Sequence, residues 1–315
     1  MADLDMAPEA LEILRAVADV DCVPADRQRL LAAVHEYDAV WTDFDMKLDR
    51  EVLGRAHRLK AISTPTTGTD HIDKEEAARR GARVLCLAQD LALLETFTAT
   101  AELAWLLLLA CGRNFRSASR AAHAGEWRDS ARFTSRQLSG LTLGVLGLGR
   151  LGRMVAQYGL AFRMRVLGCD RQPFAVPGVQ PVDFDTLLRE SDALSIHIHM
   201  TPDNYRLFDA EAFGKMKPGA ILINTSRGDI IDEEALLASL ESGRLAAIGA
   251  DVLHDEWRAD MRQQPLVRYA LTHDNVVLTP HIGGSTTRSI ADALVFSARK
   301  LVHYLKTGEE LTMRH

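Results

Sequence analysis

Three ionisable side chains stand just past apolar runs in the second half of the chain. Arg227 follows AILINTS, Glu256 lies in GADVLHDEW five residues past Asp251, and His281 follows NVVLTP. A run such as Ala220-Ile221-Leu222-Ile223 reads as a buried strand. A guanidinium delivered at its end must meet either a carboxylate of the protein or an anion from outside. In an open parallel sheet, ligands sit beyond the carboxyl ends of the strands, where all three residues would fall. An arginine there can grip a carboxylate through two N–H groups. A histidine can exchange a proton with an alcohol or a carbonyl oxygen, and a glutamate beside it stabilises the imidazolium and raises its pKa. Taken singly, Arg227 would also serve a surface ion pair, Glu256 a solvated loop, and His281 a helix cap. Together they form a recognisable set.

A second constellation lies upstream, in LTLGVLGLGRLGRMVAQYGLAFRMRVLGCD. GxGxxG alone is weak and marks any tight turn, but here a strand precedes it and a helix, a strand and an acid follow. Gly147 permits the sharp turn, Gly149 lets the backbone approach a pyrophosphate, and Gly152 lets helix and strand lie close. Free N–H groups at the helix start then face the phosphates. Asp170, 23 residues after Gly147, can accept both ribose hydroxyls and would repel a 2′-phosphate. NAD is therefore favoured over NADP, with Arg171 next door as the counter-signal.

The elements that must position these residues alternate between helix and strand, the signature of a parallel α/β protein. Strands are expected near residues 18–23, 38–42, 59–63 and 82–87, and then at LTLGVL, MRVLGC, ALSIHI, AILIN, AAIGADV and NVVLTP. These later runs lack polar alternation, so helices should cover both faces of their sheet. Helical periodicity marks Arg27 to His35, Lys74 to Arg80, Thr98 to Arg113 and Thr286 to Leu305. The polar stretch AAHAGEWRDSARFTSRQLSG holds no convincing strand. Domain boundaries are expected inside structured elements, near residues 98–113 and 285–290.

Composition sets the outer limits. The 315 residues suffice for two domains, and 47% hydrophobic with 25% charged residues is a globular mixture. A net charge of −6 argues against nucleic-acid and membrane-surface partners, which favour basic faces. The apolar run from Leu103 to Cys111 is too short to span a bilayer. MADLDMAPEALE lacks the features of a signal peptide. Cys22, Cys86, Cys111 and Cys169 are widely spaced, as expected of reduced, mostly buried thiols in a cytoplasmic protein with no metal site.

The motifs resemble those of the D-isomer-specific 2-hydroxyacid dehydrogenases, particularly the phosphoglycerate-dehydrogenase-like branch, over essentially the whole chain. TTGTDHID (66–73) resembles the family's substrate loop, TLGVLGLGRLG its dinucleotide turn, INTSRGDIIDEEAL its arginine segment, and LTPHIGGST its histidine segment. The resemblance implies a Rossmann domain inserted into a discontinuous flavodoxin-like substrate domain, with parts at 1–103, 104–286 and 287–315. It implies hydride transfer between NAD and C2 of a D-2-hydroxy acid or 2-oxo acid. Arg227 would hold the substrate carboxylate, and His281 with Glu256 would act as general acid and base. Thr67 and Gly68 would add backbone donors to the carboxylate. Asp251 would bond the nicotinamide amide, while Arg150, Leu151, Thr225, Ser226, His281 and Gly283 would line the cofactor. A homodimer is implied, through the Leu-rich helix and the stretch around Trp127.

Departures from the family pattern bear on the substrate. The usual first strand is absent from MADLDM, and Trp257 replaces the proline after Glu256. Where phosphoglycerate dehydrogenases tend to carry a basic residue, this chain has Trp41, Asp43 and Asp45, with Lys47 beyond. Those acids would repel a substrate phosphate, so a small unphosphorylated 2-oxo acid is expected. Two alternatives stand beside this reading: an NAD(H)-sensing binding protein akin to the family's corepressors, and a formate-dehydrogenase-like enzyme, which calls for glutamine in place of Glu256.

Overall fold

The computed structural model describes residues 4–23, 26–44 and 46–313. The chain divides into two compact units, Met1–Phe97 with Gly284–His315, and Thr98–Gly283.

The first unit holds a parallel sheet in the order β1-β2-β3, formed by β1 (Ala39–Trp41), β2 (Ala61–Ser63) and β3 (Arg83–Leu85). Alternation along β2 sends neighbouring residues to opposite faces. Ala61 joins Ala10, Leu14, Leu294 and Leu301 of the helices Pro8–Arg15 and Thr287–Thr307. Ile62 joins Leu31, Val52, Leu53 and Ala77 on the other side. The long final helix is also pinned by charge. Lys300, fully buried, donates to Asp90 at 2.6 Å, and the other oxygen of Asp90 accepts from the backbone N–H of Met313.

The second unit is built on seven parallel strands in the order β6-β5-β4-β7-β8-β9-β10. They are β4 (Thr142–Leu146), β5 (Arg165–Cys169), β6 (Val179–Pro181), β7 (Ala193–Ile196), β8 (Ala220–Asn224), β9 (Leu245–Ala250) and β10 (Val276–Leu278). The chain runs outward from β4 to one edge, then returns to β7 and runs to the other. That reversal opens a crevice between β4 and β7, where doubly wound sheets bind ligands. One face packs Leu143, Val145 and Ile223 against the helices Ala99–Gly112 and Arg150–Ala161. The other packs Leu194, Leu222 and Ile248 against Leu187, Phe213 and Leu236. Both faces are thus covered, as the unbroken apolar strands required.

Some expectations are corrected. No strand forms at residues 18–23, which run as turn and irregular chain. Asp19 and Asp21 interrupt that stretch, and Val17 and Val23 are exposed, so pairing there would bury little apolar surface. Cys22 is consequently exposed, although Cys111 is buried and Cys86 and Cys169 are half-buried, and all four are free thiols. Edge strand β6 was not foreseen because it is short and ends at Pro181, a residue tolerated only at edges and ends. Several predicted strands also stop early: β7 at Ile196, β9 at Ala250 and β10 at Leu278. The polar residues that follow leave the sheet to make the loops described below. Leu91–Gly112 has the length and apolarity of a membrane-crossing stretch. It is nonetheless broken into the helices Leu91–Leu94 and Ala99–Gly112, and Leu107, Leu108 and Cys111 are buried in the core of the second unit.

Candidate active site

The glycine turn joins β4 to the helix Arg150–Ala161. Gly147 has φ 91°, and a Cβ there would fall 2.5 Å from the carbonyl oxygen of His197. A Cβ on Gly152 would fall 1.8 Å from the carbonyl oxygen of Gly147. Gly149 differs from both: it is exposed, and a Cβ there would meet nothing within 4 Å. Two glycines therefore permit close packing, and the third leaves open space where a phosphate can approach. The helix N-cap is Gly149, a residue with no side chain to occupy the first N–H groups. Asp170, just past β5, accepts from the N–H of Leu148 at 2.6 Å and of Gln172 at 3.0 Å. Its carboxylate is thereby held beside the turn. These residues fit a dinucleotide.

Arg227 follows β8 in a tight turn. Asn224, fully buried, donates from Nδ2 to the carbonyl of Arg227 at 2.9 Å and accepts from the N–H of Ser226 at 3.0 Å. Ser226 donates from Oγ to the carbonyl of Ile196 at 2.8 Å, tying the turn to the end of β7. Arg227 Nη1 donates to the carbonyl of Ser226 at 2.7 Å. Thr225 is buried, and its hydroxyl has no hydrogen-bond partner among the described residues. Asn224 was not singled out in the sequence. Its signal was a polar amide closing an otherwise apolar run, three residues before the arginine.

His281 and Glu256 meet. The imidazole Nδ1 lies 2.9 Å from Glu256 Oε1, with both side chains partly exposed. That bond is the main cause of a His281 pKa above its ordinary value. Burial opposes it, the charges of Glu256 and Asp251 add to it, and Arg227 works against it. Arg227 and His281 therefore sense one another electrostatically. Asp251, 2% exposed, organises the histidine loop: it accepts from Thr279 Oγ1 at 2.5 Å, the N–H of Ile282 at 2.9 Å and the N–H of Gly283 at 2.7 Å. His281 itself sits in the left-handed region, φ 53°. Gly283 is buried beside Asp251, where a Cβ would come within 3.0 Å of its carboxylate.

One more histidine stands at the crevice. His197 follows β7, its Nε2 bonds Ser195 Oγ at 2.8 Å, and its buried Nδ1 has no partner among the described residues. Burial pushes its pKa down to about 4, so the ring is neutral. Thr67 and Gly68 belong to the first unit, in the loop after β2, where Thr66 Oγ1 donates to the carbonyl of Gly68 at 2.6 Å. In the same unit Trp41 donates from Nε1 to Ser297 Oγ at 2.9 Å. Asp45 lies outside the described residues.

The family pattern described as "D-isomer specific 2-hydroxyacid dehydrogenase, NAD binding domain" matches residues 105–283. That span is more than half of the chain and contains the glycine turn, Arg227, Glu256 and His281. The chain belongs to the D-isomer-specific 2-hydroxyacid dehydrogenases. As a member of that family it is an NAD-dependent oxidoreductase. Among its relatives are a glyoxylate reductase of Thermococcus litoralis, 37% identical over 88% of this chain and 83% of the relative, and a hydroxypyruvate reductase of Thermotoga maritima, 34% identical over 91% and 90%. The fold is similar to a D-lactate dehydrogenase from Aquifex aeolicus solved with NAD and lactic acid. That comparison has a TM-score of 0.83 and 28% identity, covering 96% of this chain and 93% of the other.

Proposed function

We propose that this dehydrogenase interconverts a small, unphosphorylated 2-oxo acid and its D-2-hydroxy acid. Bound NADH supplies the hydride to C2 of the oxo acid, and NAD takes it back in the reverse direction. Arg227 holds the substrate carboxylate through its guanidinium. His281, charged and paired with Glu256, donates its proton to the oxygen that becomes the alcohol. In oxidation the neutral imidazole takes that proton back. Asp251 orients the histidine loop, and the unit Met1–Phe97 with Gly284–His315 serves as the substrate unit.

The observation that carries this reading is the His281–Glu256 bond of 2.9 Å, with Arg227 close enough to depress the same imidazole's pKa. A binding protein that only sensed NAD(H) would have no use for a proton donor tuned in this way. The unphosphorylated substrate is supported by the sequence after β1, where Trp41, Asp43 and Asp45 stand in the place the family resemblance would give a basic residue. Relatives are named for glyoxylate and hydroxypyruvate, and others of similar identity for D-3-phosphoglycerate, so both kinds of substrate belong in the test. The test is NADH oxidation with a panel of neutral, phosphorylated and phosphonate 2-oxo acids. Turnover is expected with glyoxylate or hydroxypyruvate. A clear kinetic preference for 3-phosphohydroxypyruvate over hydroxypyruvate would overturn the substrate class, and no turnover with any oxo acid would favour the sensing protein.

A further inference from the structure

The loops that carry Arg227 and Glu256 touch one another through residues that no part of the chemistry above uses. Gly228, next to Arg227, lies so near the second loop that a Cβ would fall 2.0 Å from the carbonyl carbon of Leu253 and 2.3 Å from the amide nitrogen of His254. The two backbones are therefore in direct contact. One residue further along each chain, the contact is closed by side chains: His254 Nδ1 bonds Asp229 Oδ1 at 2.5 Å. Asp229 lies two residues past Arg227, and His254 two residues before Glu256. The Asp229 backbone is itself held, its carbonyl accepting from the N–H of Arg206 at 2.8 Å. The void behind the contact measures about 20 Å³ and is lined by Asn224, Gly228, Glu233, Leu253 and His254 among others. There is little room for one loop to slide on the other while the bond is made.

Both side chains are nearly half exposed, 41% for His254 and 46% for Asp229. A pair so exposed adds little to global stability. Its position is what singles it out, because it joins the carriers of the anion-binding and proton-handling groups near their active residues. We propose that Asp229 and His254 are positioning residues, whose hydrogen bond fixes the Arg227 turn in register with the Glu256 loop. Through Glu256 the bond sets the orientation of His281. This inference rests on the 2-oxo acid reductase reading for its kinetic arm only.

The test compares the parent with Asp229→Ala, His254→Ala, the double variant and His254→Asn, whose amide can donate from the place of Nδ1. Four quantities are read: kcat and KM for hydroxypyruvate, NADH affinity, melting temperature, and the titration midpoint of His281 by NMR. Each alanine variant is expected to lower kcat/KM by roughly 5- to 20-fold, short of the hundredfold that a misplacement of about 1 Å can cost. Melting temperature and NADH affinity should stay at parental values. The double variant should be no worse than either single one, and His254→Asn should recover most of the loss. The His281 midpoint should fall in both alanine variants although neither residue touches His281. Losses that multiply in the double variant, or alanine variants within twofold of the parent with an unmoved midpoint, would overturn the proposal. If the parent turned over no 2-oxo acid, the functional reading would fail. The midpoint would then decide alone, a fall supporting the positioning role and an unmoved value overturning it.

Discussion

At the scale of single residues, His281 combines a strained backbone with an imidazolium form that Glu256 favours. A non-glycine residue at φ 53° costs on the order of 1–2 kcal/mol. The three bonds accepted by Asp251 from Thr279, Ile282 and Gly283 offset that cost, since bonds to a charged group contribute about 1.5–3 kcal/mol each. The charge comes from Glu256, whose bond raises the His281 pKa against burial. The sign follows directly. A raised pKa favours the protonated fold, so this stabilisation is complete below the unfolded value of about 6.5 and is lost as pH rises through the folded value. Reduction requires the same protonated ring and should decline over that upper range. Glu256→Gln removes the main cause of the shift, so its pH–rate profile for reduction should fall off at lower pH than the parent's. An unchanged profile would mean that Glu256 does not tune His281. Asp170 is proposed to set a separate choice, that between NADH and NADPH. NADH should be used at least roughly tenfold better than NADPH, and Asp170→Ala should narrow the gap. Equal kcat/KM for the two cofactors in the parent would remove Asp170 from that role.

At the scale of elements, the glycine turn shows how one motif holds residues with different tasks. Gly152→Ala would drive a Cβ to 1.8 Å from a backbone oxygen, so it should lower the melting temperature and NADH binding together. Gly149→Ala meets nothing within 4 Å and should leave the melting temperature unchanged. It should still weaken NADH binding severalfold, because the added methyl occupies the phosphate's path. Thermal shift and cofactor titration on both variants check this, and matching behaviour of the two would refute the division. The turn was legible in the sequence because its glycines, helix and terminal acid lie within a few dozen residues of one another. Arg227, Glu256 and His281 stood out in the sequence because each lies shortly beyond an apolar run, and the structure brings Glu256 onto His281. What could not be read there arises from contacts between distant segments. Asp229 against His254 and the bonds that Asp251 accepts from Thr279, Ile282 and Gly283 depend on which loops the parallel sheet sets side by side. Residues 18–23 hold too little apolar surface for a strand, since Asp19 and Asp21 alternate with Val20 and Cys22 and Val23 is exposed.

At the scale of the whole molecule, the second unit leaves Leu106, Phe115, Trp127 and Leu271 more than half exposed. Large apolar side chains gathered on one unit suit an interface, and a homodimer through this unit is expected. Light scattering at micromolar concentration should give twice the 34.8 kDa chain mass, and a stable species at the chain mass would count against it. The central claim, that an imidazole at position 281 moves the proton while bound NADH moves the hydride, is met most directly by one comparison. Steady-state NADH oxidation with hydroxypyruvate or glyoxylate is measured for the parent and for His281→Ala, alongside NADH affinity. The variant should keep NADH binding nearly intact and lose roughly 10²–10⁴-fold in kcat, the scale of a missing general acid. A variant that turned over within tenfold of the parent would contradict the claim.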